Sequence, residues 1–167
     1  GMERPFPAYE GDQPYIFVCY SHVDKELVYP ELVWLDERGC NIWYDEGITP
    51  GEEWSEELGH AIEGASQFLF FATPAAVDSR NCRDELRFAL DLEKDIVSVH
   101  LKETQLTSGI RLSIGAKQAI FKYELAEQEY RDKLLSGLRV HDKQTIEDPQ
   151  SSRPAASSIN STKPILF

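Results

Sequence analysis

Along the chain, short apolar runs alternate with segments in which apolar residues recur every three or four positions. The first run, Tyr15–Tyr20 (YIFVCY), is nearly all apolar and predicts a strand buried on both faces, as in a parallel sheet. A helix is expected over about Asp24–Arg38, with Val28, Leu32 and Leu35 on one face and Gly39 as its stop. Pro30 leaves two readings, a regular helix that starts there or a longer helix kinked at that point. Asn41–Asp45 (NIWYD) predicts a second strand, and the turn-rich Glu46–Glu52 follows it. The next helix runs from about Glu53 to Gly64, with Trp54, Leu58, Ala61, Ile62 and Ala65 at helical spacing. Gln67–Ala72 (QFLFFA) predicts strand three, Thr73–Asn81 a loop, and Cys82 to about Glu93 a helix. Strand four is Ile96–Leu101, and Lys102–Lys117 has room for one short irregular helix. Strand five is Ala119–Tyr123, and a last helix over about Ala126–Leu138 keeps Tyr130, Leu134 and Leu138 in register.

This pattern divides the chain into a polar, proline-containing arm (1–14), one domain (15–139) and a Ser/Pro-rich tail or linker (140–167). Five short strands alternating with helices predict an α/β fold: a flavodoxin-like five-stranded parallel sheet, order 2-1-3-4-5, with helices on both faces. Ligands bind such sheets beyond the carboxyl ends of the strands, near the point where strand order reverses. That directs attention to three loops, Ser21–Asp24, Asp45–Trp54 and Thr73–Cys82.

Composition narrows the chemistry. The 167 residues carry 17 basic and 29 acidic side chains, a formal net charge of -12. Such a field repels DNA, RNA and anionic membrane surfaces, so no nucleic-acid partner is expected. No apolar run approaches the ~20 residues that span a bilayer, so no membrane span is expected either. Gly1 directly before Met2 reads as an expression remnant, and Arg4, Pro5, Pro7 and Pro14 interrupt any signal-peptide core. The three cysteines, Cys19, Cys40 and Cys82, form no CxxC pair, which fits reduced thiols in a cytoplasmic location. The four histidines are not spaced as metal ligands, so no metal is expected. The sequence contains neither GxGxxG nor GxxxxGK[ST], and no prosthetic group is expected. A phosphoacceptor receiver of this topology would need acids where Cys19-Tyr20-Ser21 and Ala72-Thr73 stand.

Several polar residues converge on the ligand rim. Glu85 is expected in the first turn of its helix, three residues after Cys82 and on the edge of the stripe Cys82, Leu86, Ala89, Leu90. It is open to two readings: an acid that compensates the helix dipole, worth ~0.3–1 kcal/mol, or a group facing a ligand. Trp54 reads as a core-facing aromatic or as the platform for a ring. Asp24 reads most simply as a helix cap. Arg80 and Arg83 flank a helix N-terminus, either as a solvated pair or as holders of a phosphate or pyrophosphate.

Four segments carry a family resemblance. YIFVCYSHVD resembles the (F/Y)(I/V)SY-S-xx-D box of Toll/interleukin-1 receptor (TIR) domains, and NIWYDEGITPGEEW resembles their Asp…Gly…Pro-Gly BB loop followed by Trp. FLFFAT and SRNCRDEL complete the series, the latter resembling the S-x-x-C-x-x-E-L signature that opens the family's αC helix. In order and spacing they are similar to a TIR domain of the bacterial or plant-like type over about Tyr15–Leu138.

That resemblance implies two kinds of activity. Some members are non-catalytic modules that dock on other TIR domains, as adaptors or as mimics of host signalling. Others cleave the nicotinamide–ribose bond of NAD, as hydrolases or ADP-ribosyl cyclases, acting in signalling or defence through self-assembly. The αC glutamate of catalytic members falls on Glu85, with NAD as substrate. Substrate-binding roles fall on Ser21, Asp24, Asp45, Gly47, Ile48, Trp54, Ser79 and Cys82. The BB-loop interaction surface falls on Glu46, Gly47, Ile48, Thr49, Pro50 and Gly51, with either Ile48 or Pro50 in the place of the family's docking proline. Asn81 stands where many catalytic members have a Trp, removing one aromatic wall. The resemblance also implies an active site built across two subunits.

Overall fold

The apolar runs pair side by side into a single parallel sheet. β1 (Ile16–Cys19), β2 (Ile42–Tyr44), β3 (Gln67–Ala72), β4 (Ile96–His100) and β5 (Ala119–Phe121) lie in the order β2-β1-β3-β4-β5. The computed structural model describes residues 3–46, 55–114 and 118–140. The register sets Ile16 beside both Ile42 and Gln67, and Phe68 beside Ile96. The flavodoxin-like arrangement expected from the alternation is thus the observed one, with helices on both faces.

Successive residues of a strand face opposite sides, and each side builds its own core. On one side Ile16, Val18, Leu69, Phe71, Val97 and Val99 meet α1 (Lys25–Glu37) and α6 (Glu127–Gly137) through Val28, Leu32, Leu35, Tyr130 and Leu134. On the other, Phe17, Cys19, Phe68, Phe70 and Ala72 meet α2 (Glu56–Gly64), α3 (Pro74–Asp78) and α4 (Arg80–Asp91). α5 (Ser108–Ile114) adds Ile110 and Ile114 at the margin of this second core. Phe17 stacks between Trp43 and Phe68, with centroids 5.2 and 5.3 Å away. Burial of a side chain of this size contributes about 1.5–3 kcal/mol.

The local stops follow from sequence chemistry. Gly39 adopts φ 88°, a left-handed conformation that a glycine accepts without strain. Its N–H bonds to the Asp36 carbonyl and that of Cys40 to the Leu35 carbonyl, which closes α1 with a Schellman motif. Pro30 does not begin this helix: α1 starts at Lys25 and runs through Pro30, whose ring lies on the exposed face. There the bond its missing N–H would have made is lost where solvent reaches the backbone. The segment read as a loop over Thr73–Asn81 instead contains α3, because Thr73 caps it and Pro74 occupies its first position.

The N-terminal segment runs along the β2 edge. Tyr9 donates its N–H to the Ile42 carbonyl at 2.8 Å, and the Phe6 ring meets Tyr44 edge-on at 5.3 Å. The Tyr44 hydroxyl donates to the Phe6 carbonyl. These contacts cover backbone that an edge strand otherwise leaves open to pairing.

Candidate functional site

The chain leaves β1 toward β2 on one side and returns to β3 on the other, so strand order reverses between β1 and β3. A crevice at the carboxyl ends of these two strands is the place where the fold offers a ligand site. Beyond β1 lies a single 3-10 turn, His22–Asp24, entered through the buried Ser21. Beyond β2 comes Asp45, whose carbonyl accepts from the Tyr20 hydroxyl at 2.7 Å and from His22 Nε2 at 3.2 Å. Burial holds the His22 imidazole below its ordinary pKa, so the neutral ring donates that bond. Beyond β3 comes Thr73.

Thr73 closes the gap between the two strand ends. Its hydroxyl donates to Asp24 Oδ2 at 2.5 Å and accepts from the Ala76 N–H at 3.0 Å. Asp24 stands at the N-cap position of α1 but makes no side-chain cap bond, contrary to the simplest reading of the sequence. It is buried, and its carboxylate finds a stronger donor in Thr73. The Thr-Pro step marks Thr73 as a cap in the sequence, whereas nothing local marks it as a partner for Asp24. Thr73→Val is expected to cost about 2 kcal/mol in urea denaturation, through a lost cap and an unpaired buried acid. Thr73→Ser should recover most of that loss.

Helix α4 carries the central carboxylate. It begins at Arg80, two residues earlier than the apolar stripe implies, because the Ser79 hydroxyl accepts from the Cys82 N–H at 3.2 Å. Glu85 therefore lies in the second turn, beyond the reach of the macrodipole, and the dipole-compensation reading loses its basis. The side chain is 8% exposed. Burial pushes its carboxyl well above the usual range, aided by Cys82, Asp45 and Asp84 and opposed by a hydrogen bond from Cys19. Cys82, 2% exposed, lies one turn before Glu85 on the same face. Its thiol is made more acidic by hydrogen bonds from Cys19 and Ser79, against the effect of burial. Cys19, at the end of β1, carries no local signal in the sequence, being one thiol within an apolar strand.

A second buried glutamate provides a contrast. Glu31, 1% exposed, receives Lys122 Nζ at 2.6 Å, Arg131 NH1 at 2.9 Å and the Tyr130 hydroxyl at 2.5 Å. Those donors satisfy its charge and tie α1 to α6. Among the described residues, Glu85 has no cation within ion-pair distance. The two arginines at the start of α4 do not supply one. Arg80 is exposed and lies 3.9 Å from Asp84, while Arg83 donates to the Val77 carbonyl at 3.2 Å. They do not converge on a common anion site.

Ser21, Asp24, Asp45, Ser79, Cys82 and Glu85 are thus placed around the ends of β1 and β2 and along the entry and first two turns of α4. Gly47, Ile48, Thr49, Pro50, Gly51 and Trp54 lie outside the described residues; Glu46 is exposed beside Arg4 at 3.4 Å. No group of three metal-ligating side chains converges among the described residues. No helix there is long and apolar enough to cross a membrane.

Among curated proteins, none matches the chain in sequence. Among solved structures, it is similar to the TIR domain of the Toll-related receptor TRR-2 from Hydra magnipapillata. That match has 18% identity and a TM-score of 0.61, and covers 74% of this chain and 97% of that one. TIR domains in the activated Roq1 resistosome, which recognises the pathogen effector XopQ, match at 15% identity and a TM-score of 0.44. Here the match covers 83% of this chain and 76% of that one. Residues 16–135 match the TIR domain family model, and with this sheet order and these strand-end loops the chain belongs to the TIR domain family.

Proposed function

We propose that this domain cleaves the nicotinamide–ribose bond of NAD, with Glu85 as the catalytic carboxylate and NAD as substrate rather than cofactor. The observation that carries this reading is the burial of Glu85 with no cation beside it among the described residues. A carboxylate kept in such a place costs stability, and groups perturbed in this way cluster where a ligand supplies the missing partner. NAD supplies one twice. Its pyridinium ring is positive before the bond breaks, and the ribosyl carbon becomes positive as nicotinamide leaves.

The chemistry needs one acid residue. The C–N bond breaks with its electron pair going to the ring nitrogen, so nicotinamide departs neutral and requires no proton. An oxocarbenium-like ribosyl group remains, and an anion held against its hydroxyls lowers the barrier. Attack by water, which releases its proton to solvent, gives ADP-ribose, and attack by a nitrogen of the adenine ring gives a cyclic product. In this reading Ser21, Asp24 and Asp45 line the floor, while Ser79 and Cys82 fix the helix that carries Glu85. Gly47, Ile48 and Trp54 belong to the loop that meets the substrate, and assembly with other TIR domains completes the site. The buried thiols of Cys19 and Cys82, which form no disulfide, accord with a cytoplasmic setting.

The test is nicotinamide release from NAD at high protein concentration with a crowding agent, followed chromatographically for wild type and Glu85→Ala. Release by wild type alone is the expected result. If assembled, folded wild type releases none, the reading fails and docking on other TIR domains takes its place.

A further inference from the structure

A continuous row of rings runs from the N-terminal segment to the crevice. Side chains alternate along β1 and β2, so Tyr20 and Tyr44 fall on the α1 side of the sheet, where Tyr29 of α1 meets both. Phe6 lies 5.3 Å from Tyr44 between centroids, Tyr44 6.0 Å from Tyr29, Tyr29 6.1 Å from Tyr20, and Tyr20 4.9 Å from the His22 imidazole. Each contact is edge-on or tilted, the arrangement that ring quadrupoles favour. Hydrogen bonds anchor both ends of the row. At the outer end the Phe6 N–H donates to the Tyr44 hydroxyl at 3.3 Å, and that hydroxyl donates to the Phe6 carbonyl. At the inner end the Tyr20 hydroxyl and His22 Nε2 both donate to the Asp45 carbonyl. The Tyr20 proton is spent there, so the Tyr29 hydroxyl donates to Tyr20 at 3.4 Å. We infer that Phe6 is a positioning residue for the rim of the crevice: it braces Tyr44 and, through Tyr29 and Tyr20, holds the join of His22 to Asp45 between the exits of β1 and β2. The inference rests on the NAD-cleaving reading, in which Ser21, Asp24 and Asp45 line the floor.

Tyr44, Asp45 and Glu46 are consecutive, and a different group holds each. Phe6 holds Tyr44, the exit of β1 holds Asp45, and Arg4 meets Glu46 at 3.4 Å. The Arg4–Glu46 pair is about half exposed on both sides and adds little, so the ring and main chain of Phe6 carry the outer brace. Held from both sides, the main chain at Asp45 has one course past the crevice. The join it makes with His22 also fixes the turn that carries Asp24. A Phe6 that served only to cover the β2 edge would leave the exit of β1 indifferent to its loss.

The experiment is to titrate the histidines of the full chain by NMR without substrate, for wild type, Phe6→Ala and Phe6→Tyr. KM and kcat for nicotinamide release are then measured for the same proteins. His22 titrates below its ordinary value because burial, with Lys25, outweighs the raising influence of Asp45 and Glu46. Loosening the row lets water reach the imidazole, so the His22 midpoint in Phe6→Ala should rise by about 0.5. His100, buried at the end of β4 against Phe121, is also held low by burial but lies outside the row, so its midpoint should not move. Phe6→Tyr keeps the ring and should match wild type at both histidines. KM should rise about fivefold in Phe6→Ala, with kcat within about twofold of wild type. An unmoved His22 midpoint overturns the inference. A joint shift of His22 and His100 overturns it too, because it marks general loosening. If Phe6→Ala does not fold, Tyr44→Phe, which keeps the ring and drops the bonds to Phe6, decides by the same two midpoints. A His22 shift with KM unchanged overturns the positioning role. If His22 alone moves while no protein, wild type included, releases nicotinamide, the link from Phe6 to the rim stands and the NAD-cleaving reading alone is refuted.

Discussion

Glu85→Gln is expected to lower nicotinamide release by about two to three orders of magnitude and, at the same time, to make the folded domain more stable at neutral pH. The first effect follows from charge. Glutamine keeps the shape and can still bond to ribose hydroxyls, but it brings no negative charge to an oxocarbenium-like centre. The second follows from burial. Wild-type Glu85 titrates above the ordinary carboxylate range because ionising it beneath the surface, close to Asp45 and Asp84, is unfavourable. A raised folded-state pKa in an acid means the folded chain holds its proton longer than the unfolded chain. Folding is therefore unimpaired by this group below the unfolded pKa, and stability is lost as pH rises through the folded one. Glutamine removes that loss, a gain of about 1 kcal/mol at pH 8 that should vanish near pH 4. Thermal denaturation of the two proteins across that range checks it. If Glu85→Gln proves less stable at pH 8, the carboxylate has a structural partner and the catalytic reading loses its physical basis. Activity lost together with stability gained is the pattern of a group kept for function.

The opposite outcome is expected at Glu31. Glu31→Ala should cost about 3–5 kcal/mol in urea denaturation, a large share of the ~5–15 kcal/mol that holds such a domain together. Its carboxylate gathers Lys122 from the turn after β5 and Arg131 and Tyr130 from α6. Arg131 is itself set against the Trp34 ring at 4.4 Å, with Arg38 against that ring at 3.6 Å, and pairs with Glu127 at 2.7 Å. Removing the acid leaves a guanidinium and a phenol beneath the surface without their acceptor. Glu31→Gln, which keeps an acceptor oxygen, should cost less, and a double-mutant cycle with Arg131→Met should show strong coupling. A loss below about 1 kcal/mol for Glu31→Ala would show that solvent takes over the three donors. One buried glutamate is thus expected to hold the fold and the other to burden it, although each lies on the inward stripe of its helix.

Much of the fold is legible from local pattern. The apolar runs gave their strands to within a residue or two at each end, and QFLFFA matches β3 residue for residue. Gly39 as the stop of α1 and the segment around Tyr130 and Leu134 as a final helix both rest on chemistry within one or two turns. The boundaries that shifted did so through caps. Ser79 starts α4 before its apolar stripe begins, and Thr73-Pro74 starts α3 inside a stretch read as loop. Such residues look the same in a turn and at a helix entry until the backbone around them is fixed.

What the sequence by itself determined is the alternation of strand and helix, the sheet order that right-handed crossovers leave open, the acidic charge and the family motifs. These properties depend on residue type and spacing over a few positions, so the chain carries them whether folded or not. Only the tertiary structure decided which polar groups meet. Asp24 and Thr73 lie 49 residues apart and become partners because β1 and β3 are neighbours. Glu31 and Arg131 lie 100 apart and meet because α1 and α6 share one face of the sheet. Among the described residues Glu85 has no cation beside it, because α4 packs on the opposite face of the sheet from Lys122 and Arg131, against β1. A carboxylate's role depends on what surrounds it in space, and those surroundings come from strands and helices far apart along the chain.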